Sequence, residues 1–479
     1  MKTYPIDVNK LPKEVDGRST DRSNVLRNAR WDSMITELRR ACGESLKFLY
    51  PAGVPDELTK RLAREMKSLI ESDRLDILDD FLLFKELSDA AKGVNCKLYL
   101  AGVDANSIFI YLLGDHELNP MPAHYYCPDC GFYREEPTTV VGMDLPEKDC
   151  PECGKPLRKD GFSLREEFVW AHGRVPCFEY RAPARFYGIA QRVVEKHYAS
   201  QNRVAALCGW GDERATVTEC GWLILPEGFI FEDYQPMPCV TQEGRECLFQ
   251  KRSGSLFFDN NRVRSMGLKR VLFTCSELLN RLDAAQWKTG VFLSNIPNAY
   301  LTRTAYQEMV TTDILPEDVW QVLNCRKPMT FREIADSISA THNTWESTDN
   351  KETASFLTFS KSSVFENCPI CTRDDVFDFL CSVYDDTECA FLDTEKLYMG
   401  RCTRSPKQCI CADMPDYFRR FAECTAYLFP RAFGQWHMLQ YMRLAFYSNL
   451  NYSIARQNTV NRQQCEFRCA VGEKQSGKV

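Results

Sequence analysis

The chain has 479 residues, of which 44% are hydrophobic and 26% charged, with a formal net charge of -6 and a pI near 5.7. This is ordinary globular material, long enough for two or more subdomains. The acidic average excludes a protein that grips nucleic acid through bulk positive charge. No stretch approaches the ~18 consecutive apolar residues of a membrane span, and Met1–Pro12 lacks an apolar leader core, so a cytoplasmic protein is expected. The 23 cysteines are then read as thiols, metal ligands and small core residues rather than disulfides.

In chain order, Val25–Tyr50 and Leu58–Phe84 carry apolar residues at helical spacing and predict an amphipathic helix pair. Lys97–Leu100 predicts a short strand, followed at Ala101-Gly102 by a turn and over Asn106–Leu113 by a helix. A strand, turn and helix can bind an anion, but Asp104 opposes phosphate here. From Arg165 to Gln250 the pattern alternates. A helix is expected over Ala184–Tyr198 and strands over Thr216–Leu225 and Gly228–Glu232, which gives an α+β region. Helices are then expected over Val271–Leu282, Arg303–Val310, Phe331–Ser337, Asp374–Tyr384 and Phe433–Leu450. The polar stretch Thr341–Ser363 reads as a loop.

The sharpest signal is Cys127-Pro-Asp-Cys130 with Cys150-Pro-Glu-Cys153, each followed directly by glycine. Two matching tight turns present four thiolates to one tetrahedral ion, which predicts a closed structural Zn²⁺ site in a ribbon spanning 124–160. His124 lies beside it as a spare. Cys368 and Cys371 form another C-x2-C pair without a partner pair of matching spacing, and are read as core thiols.

Around the ribbon, Leu118-Asn119-Pro120-Met121-Pro122-Ala123-His124-Tyr125-Tyr126-Cys127, Asp144-Leu145-Pro146-Glu147-Lys148 and Lys159-Asp160-Gly161-Phe162 stand in collinear order with Tyr427-Leu428-Phe429-Pro430-Arg431-Ala432 and Met442-Arg443-Leu444-Ala445-Phe446-Tyr447. This order, from about Val25 to about Val460, resembles PolC-type DNA polymerase III. The resemblance implies an α+β fold with a polymerase-beta-like nucleotidyltransferase palm, the ribbon inserted in it, and a mostly helical fingers- and thumb-like remainder. The implied parts are 1–96, 97–270 and 271–479. The nuclease domains typical of that family are not expected ahead of Met1.

The family's aspartates hold two Mg²⁺ ions for attack of a primer 3′-hydroxyl on a nucleoside triphosphate, a task that needs hard anionic oxygens. Its P-D-x-D motif falls here on Pro176-Cys177-Phe178-Glu179. Cys177 replaces the first aspartate with a soft thiol, and Glu179 lengthens the second by a methylene. The third falls on Asp259. The glycine- and serine-rich phosphate loop corresponds to Ala101–Ser107, where Ser107 alone looks like a remnant. Arg214 and Gly221 are what remains of a basic turn. These departures lead to the expectation of a degenerate active site, with Glu179 and Asp259 as remnants and Mg²⁺ required only if turnover persists.

Two local charge biases survive the acidic average. Arg245–Arg270 holds seven basic residues, including Lys251, Arg252, Arg262 and Arg264, against two acidic ones. Met414–Val479 holds nine against four. Such clusters give salt-sensitive, sequence-independent contacts to phosphate. With Arg214 and Arg431 they make DNA, single-stranded or primer–template, and replication proteins the expected partners. The alternatives are an active DNA polymerase with an altered metal site, and a zinc-stabilised interaction scaffold.

Overall fold

A computed structural model describes residues 22–170, 176, 178–199, 202–210, 217–226, 239–240, 246–247, 256–257, 269–296, 314–346, 353–354, 370–398 and 414–450. The described residues open with three helices, α1 (Arg22–Leu49), α2 (Asp56–Ser72) and α3 (Leu75–Gly93). The second predicted helix is therefore two. Asp73 adopts a left-handed φ of 48° and closes α2, its backbone N–H bonding the Ile70 carbonyl. Leu58, Leu62, Met66, Leu69 and Ile70 are buried along one face of α2, and each fully buried side chain of this kind stabilises by about 1.5–3 kcal/mol.

Strand β1 (Tyr99–Leu100) leads through a 3₁₀ turn at Val103–Asn106 into the short helix α4 (Ile108–Leu113). The ribbon follows as a small antiparallel sheet in the order β3-β2-β4, formed by β2 (His124–Tyr126), β3 (Tyr133–Glu135) and β4 (Arg158–Asp160). Period-two alternation splits β2 between two cores. Tyr125 packs with the ribbon cysteines, whereas Tyr126 joins the large cluster under the N-terminal helices.

After α5 (Glu167–Trp170) come β5 (Glu179–Ala182), α6 (Tyr187–His197), β6 (Asn202–Trp210), β7 (Val217–Pro226), β8 (Cys239–Val240), β9 (Glu246–Cys247), β10 (Leu256–Phe257) and β11 (Lys269–Cys275). Six of the strands form one mixed sheet in the order β1-β5-β11-β7-β6-β10. Strands β5 and β11 run parallel, and β11 and β7 antiparallel. Tyr180 and Ala182 of β5, with Val271 and Phe273 of β11, are buried against the helical layer, so Glu179 and Arg181 point to the opposite face. Phe81 of α3 anchors the packing, in edge contact with Phe109 at 5.0 Å and Phe178 at 5.1 Å.

Residues Val271–Leu282, expected as one helix, divide into β11 and α7 (Glu277–Thr289). Ser276 sets the boundary, its hydroxyl accepting the Leu279 N–H as an N-cap. Further helices are α8 (Glu317–Arg326), α9 (Phe331–His342), α10 (Arg373–Val383), α11 (Thr387–Tyr398), α12 (Asp416–Cys424) and α13, residues 431–450. Capping boxes start α9 at Thr330 and Glu333 and α10 at Thr372 and Asp375. The expected polar loop after Thr341 instead begins with β12 (Thr344–Glu346), which pairs with β13 (Thr353–Ala354) and β14 (Thr425–Tyr427). Expected elements at 228–232 and 303–310 lie outside the described residues.

Candidate metal centre and the remnants around the sheet

The two cysteine pairs fold into matching knuckles. In each, the glycine N–H bonds back to the carbonyl of the first cysteine, Gly131 to Cys127 and Gly154 to Cys150, both at 2.9 Å. The first cysteine's own N–H bonds the carbonyl five residues on, Cys127 to Phe132 at 2.8 Å and Cys150 to Lys155 at 2.7 Å. Both glycines sit at left-handed φ, +80° and +68°. At Gly131 a side chain would also meet the Ala52 carbonyl oxygen at 2.9 Å, so this knuckle abuts the turn between α1 and α2.

All four Sγ atoms lie within 4.8 Å of one another, Cys127 and Cys153 at 3.4 Å and Cys130 and Cys150 at 3.5 Å. A tetrahedral ion with ~2.3 Å bonds to sulfur needs edges of about 3.8 Å, so this set fits such an ion. Among the described residues it is the one group of three or more potential ligands gathered closely enough to hold a metal. His124 is buried and turned away, its Nδ1–H donating to the Pro122 carbonyl at 2.7 Å. Cys371 is buried, and Cys368 lies outside the described residues.

The ribbon is fastened to the helices by Arg158, whose guanidinium lies over the rings of both Tyr50 and Tyr126, at 5.3 and 5.2 Å, while the two rings meet edge to face at 5.0 Å. A second fastening is Asp144, which the sequence reading did not assign to packing. Its carboxylate accepts the N–H groups of Phe331 at 2.7 Å and Arg332 at 3.0 Å, at the start of α9.

Of the expected catalytic remnants, Glu179 is described and Cys177 and Asp259 are not. Glu179 stands half-exposed on the sheet face away from the helical layer. Its Oε1 accepts both Nε (3.1 Å) and Nη2 (3.0 Å) of Arg181, two residues along the same strand face. Ser107 is fully buried, and its hydroxyl donates to Glu65 Oε2 at 2.6 Å rather than facing a ligand. Asp104 is buried in the same turn.

Of the basic residues expected to meet DNA, Arg214, Lys251, Arg252, Arg262 and Arg264 lie outside the described residues. Arg431 is described, and it departs from expectation. It is 2% exposed, with its guanidinium bonded to Asp375 at 2.9 Å, Asp378 at 2.8 Å and the Ser163 carbonyl at 3.1 Å. A phosphate would have to displace these partners, so in this arrangement Arg431 acts inside the fold. Lys269 is likewise turned inward, onto Asp79 and Asp80 at 3.0 Å each.

No family model matches the chain. Among curated proteins, a DNA polymerase III PolC-type of Thermotoga petrophila is 31% identical over 158 residues, 32% of this chain and 11% of that protein. Longer similarities reach the proteins of the same name from Staphylococcus saprophyticus, 23% identical over 86% of this chain, and Mycoplasmopsis pulmonis, 22% identical over 87%. Even these cover 32% of the relatives, so the chain spans at most about a third of their length. At 22–31% identity, and consistently in name, the chain is a distant homologue of DNA polymerase III PolC-type proteins.

Proposed function

We propose that this chain is a zinc-braced, DNA-binding protein of DNA replication, built on a PolC-like polymerase core that no longer transfers nucleotides. The observation that carries the loss of chemistry is the Glu179–Arg181 pair. A divalent ion at Glu179 would have to share its carboxylate with a guanidinium bonded to the same oxygen. Two positions earlier in the sequence stands Cys177, a soft donor that Mg²⁺ disfavours. A third carboxylate, Asp259, does not by itself make a two-metal clamp. The fate of Ser107 agrees, because a hydroxyl committed to Glu65 is not free for a triphosphate.

The six-stranded mixed sheet, with the N-terminal helices on one face and α13 against its β1 edge on the other, suits the palm of such a core, with 97–270 as its α+β body, 1–96 as a helical flank and 271–479 as the fingers-like part. Cys127, Cys130, Cys150 and Cys153 would hold Zn²⁺, which supplies folding energy in an all-sulfur site. DNA contact falls to the basic clusters around Lys251, Arg252, Arg262 and Arg264 and to the basic C-terminal segment, with Arg214 beside them. A cytoplasmic location goes with this work. No helix among the described residues is long and apolar enough to cross a membrane.

The test pairs two assays on the full chain. Primer extension with Mg²⁺ or Mn²⁺ is expected to give no product, while a fluorescent primer–template is retained with affinity that falls steeply with salt. Extension that disappears in Glu179→Gln or Asp259→Asn would replace this reading with an active polymerase of altered metal site. No retention at low salt would leave a zinc-stabilised scaffold.

A further inference from the structure

Four carboxylates and three guanidinium groups converge where α9, α10 and α13 meet the loop after the ribbon. Arg431 bonds Asp375 and Asp378 through its guanidinium, and its backbone N–H reaches Asp374 Oδ2 at 2.7 Å. Arg165 Nε bonds Asp378 Oδ1 at 2.8 Å. Arg332 reaches Asp336 Oδ2 at 3.3 Å and Asp375 Oδ1 at 3.4 Å. With every group ionised this cluster is one positive charge short. At its buried end, among Asp336, Asp374, Asp375 and Arg431, such a deficit is costly, and the usual remedy is uptake of a proton.

The contacts narrow the choice to Asp374 and Asp336, and the charges facing each decide between them. Asp375 is saturated, with Oδ1 against two guanidinium groups and Oδ2 accepting the Cys371 N–H, the Thr372 N–H and the Thr372 hydroxyl. Asp378 holds Arg165 and Arg431 and is a third exposed. Asp374 accepts the Arg431 N–H through Oδ2 while its buried Oδ1 has no hydrogen-bond partner among the described residues, and burial raises its carboxyl against the pull of Arg431. Asp336 is 8% exposed and, among the described residues, is hydrogen-bonded only by Arg332, over a long 3.3 Å. Burial first, then repulsion by Asp375, pushes its carboxyl up to about 7 against Arg332 and Arg431.

We propose that Asp336 is a proton-operated latch: protonated, it lets α9 seat closely on α10 and α13, and ionised, it sets two like charges against each other and loosens that seat. The groups facing it are Arg332 from its own helix, Asp375 from α10 and Arg431 from α13. Helix α13 also carries Trp436, stacked on Tyr99 of β1 with ring centroids 3.8 Å apart, so loosening at the latch is transmitted to the sheet edge beside Glu179. For a carboxyl raised in the folded state, the stabilisation is full below the unfolded value near 3.8 and is lost as pH rises through about 7.

The test is amide hydrogen exchange by mass spectrometry on the full chain, corrected for intrinsic exchange, from about pH 6 to about pH 8. In the wild type, peptides of α9 and the first turns of α13 are expected to lose about tenfold in protection in all between these limits, most of it below about pH 7 and almost none above. Asp336→Asn should flatten that profile. Arg332→Gln should move it to higher pH, because the carboxyl loses its nearest cation; should the Asn variant not fold, the direction of this displacement decides. Identical profiles in wild type and Asp336→Asn, or a profile in Arg332→Gln that is unmoved or lowered, would overturn the latch.

Discussion

Glu65 and Ser107 lie 42 positions apart in sequence and meet in the core, where the Ser107 hydroxyl donates to Glu65 Oε2 at 2.6 Å. The same carboxylate accepts the Ile108 N–H at 3.0 Å, Arg61 Nε at 2.7 Å and Trp170 Nε1 at 2.9 Å. The anion at the start of α4 is thus supplied by the chain itself. The turn that the sequence offers as a phosphate loop is fixed from α2, and α5 is tied to the same point.

Removing that charge should be costly. Glu65→Gln leaves the buried Arg61 with Glu166, at 2.9 Å, as its remaining counter-charge and replaces one acceptor oxygen by a donor among groups that all donate. A loss of about 1–3 kcal/mol is expected in denaturant unfolding. A change under about 1 kcal/mol would show that the cluster relaxes freely.

For the ribbon, elemental analysis of the purified chain should find one zinc, and Cys150→Ser should abolish it. Because the Gly131 knuckle rests on the Ala52 carbonyl, chelation should also lower the melting temperature of the N-terminal helices, read by circular dichroism. Two zincs per chain would instead point to a second site with ligands outside the described residues, with Cys368, and the buried Cys371 three positions on, as the first to test.

Arg431→Ala should act on folding before it acts on DNA. It strips the shared cation from Asp375 and Asp378 and leaves the Ser163 carbonyl without its donor, a loss of about 3–5 kcal/mol. Unfolding titrations beside primer–template retention separate the two effects. Weakened DNA retention at unchanged stability would return Arg431 to the phosphate-contact role expected from the sequence.

His197 gives a pH signature at another place. Burial would lower its pKa, but hydrogen bonds to Asp79 and Glu86 outweigh burial and raise it to about 9. The proton is therefore held more tightly in the folded chain. Its contribution is complete below about 6.5 and is lost as pH rises through about 9, by at most about 1.4 kcal/mol per pH unit. His197→Gln should remove that slope from stability measured between these limits.

Much of this was legible in residue patterns, and the failures have definite causes. The knuckles were readable because C-x-x-C-G fixes backbone and ligands within five residues. Helix α1 was readable because its apolar spacing runs uninterrupted. Val271-Leu272-Phe273 misled because a short apolar run fits either period, and only the Ser276 cap and pairing with β5 and β7 decide. The break at Asp73 turns on one left-handed residue. The role of Arg431 was invisible because Asp374, Asp375 and Asp378 lie more than fifty positions earlier, and a basic residue reads the same whether it faces water or carboxylates.

The alternation in β2 has a consequence for anyone cutting this chain. With Tyr126 lodged beneath the helices against Tyr50 and Arg158 lying over both rings, the ribbon is not a portable cassette. Excised at its ends it would carry an orphaned tyrosine and a bare guanidinium into water. The helices left behind would have an open flank where those side chains had been.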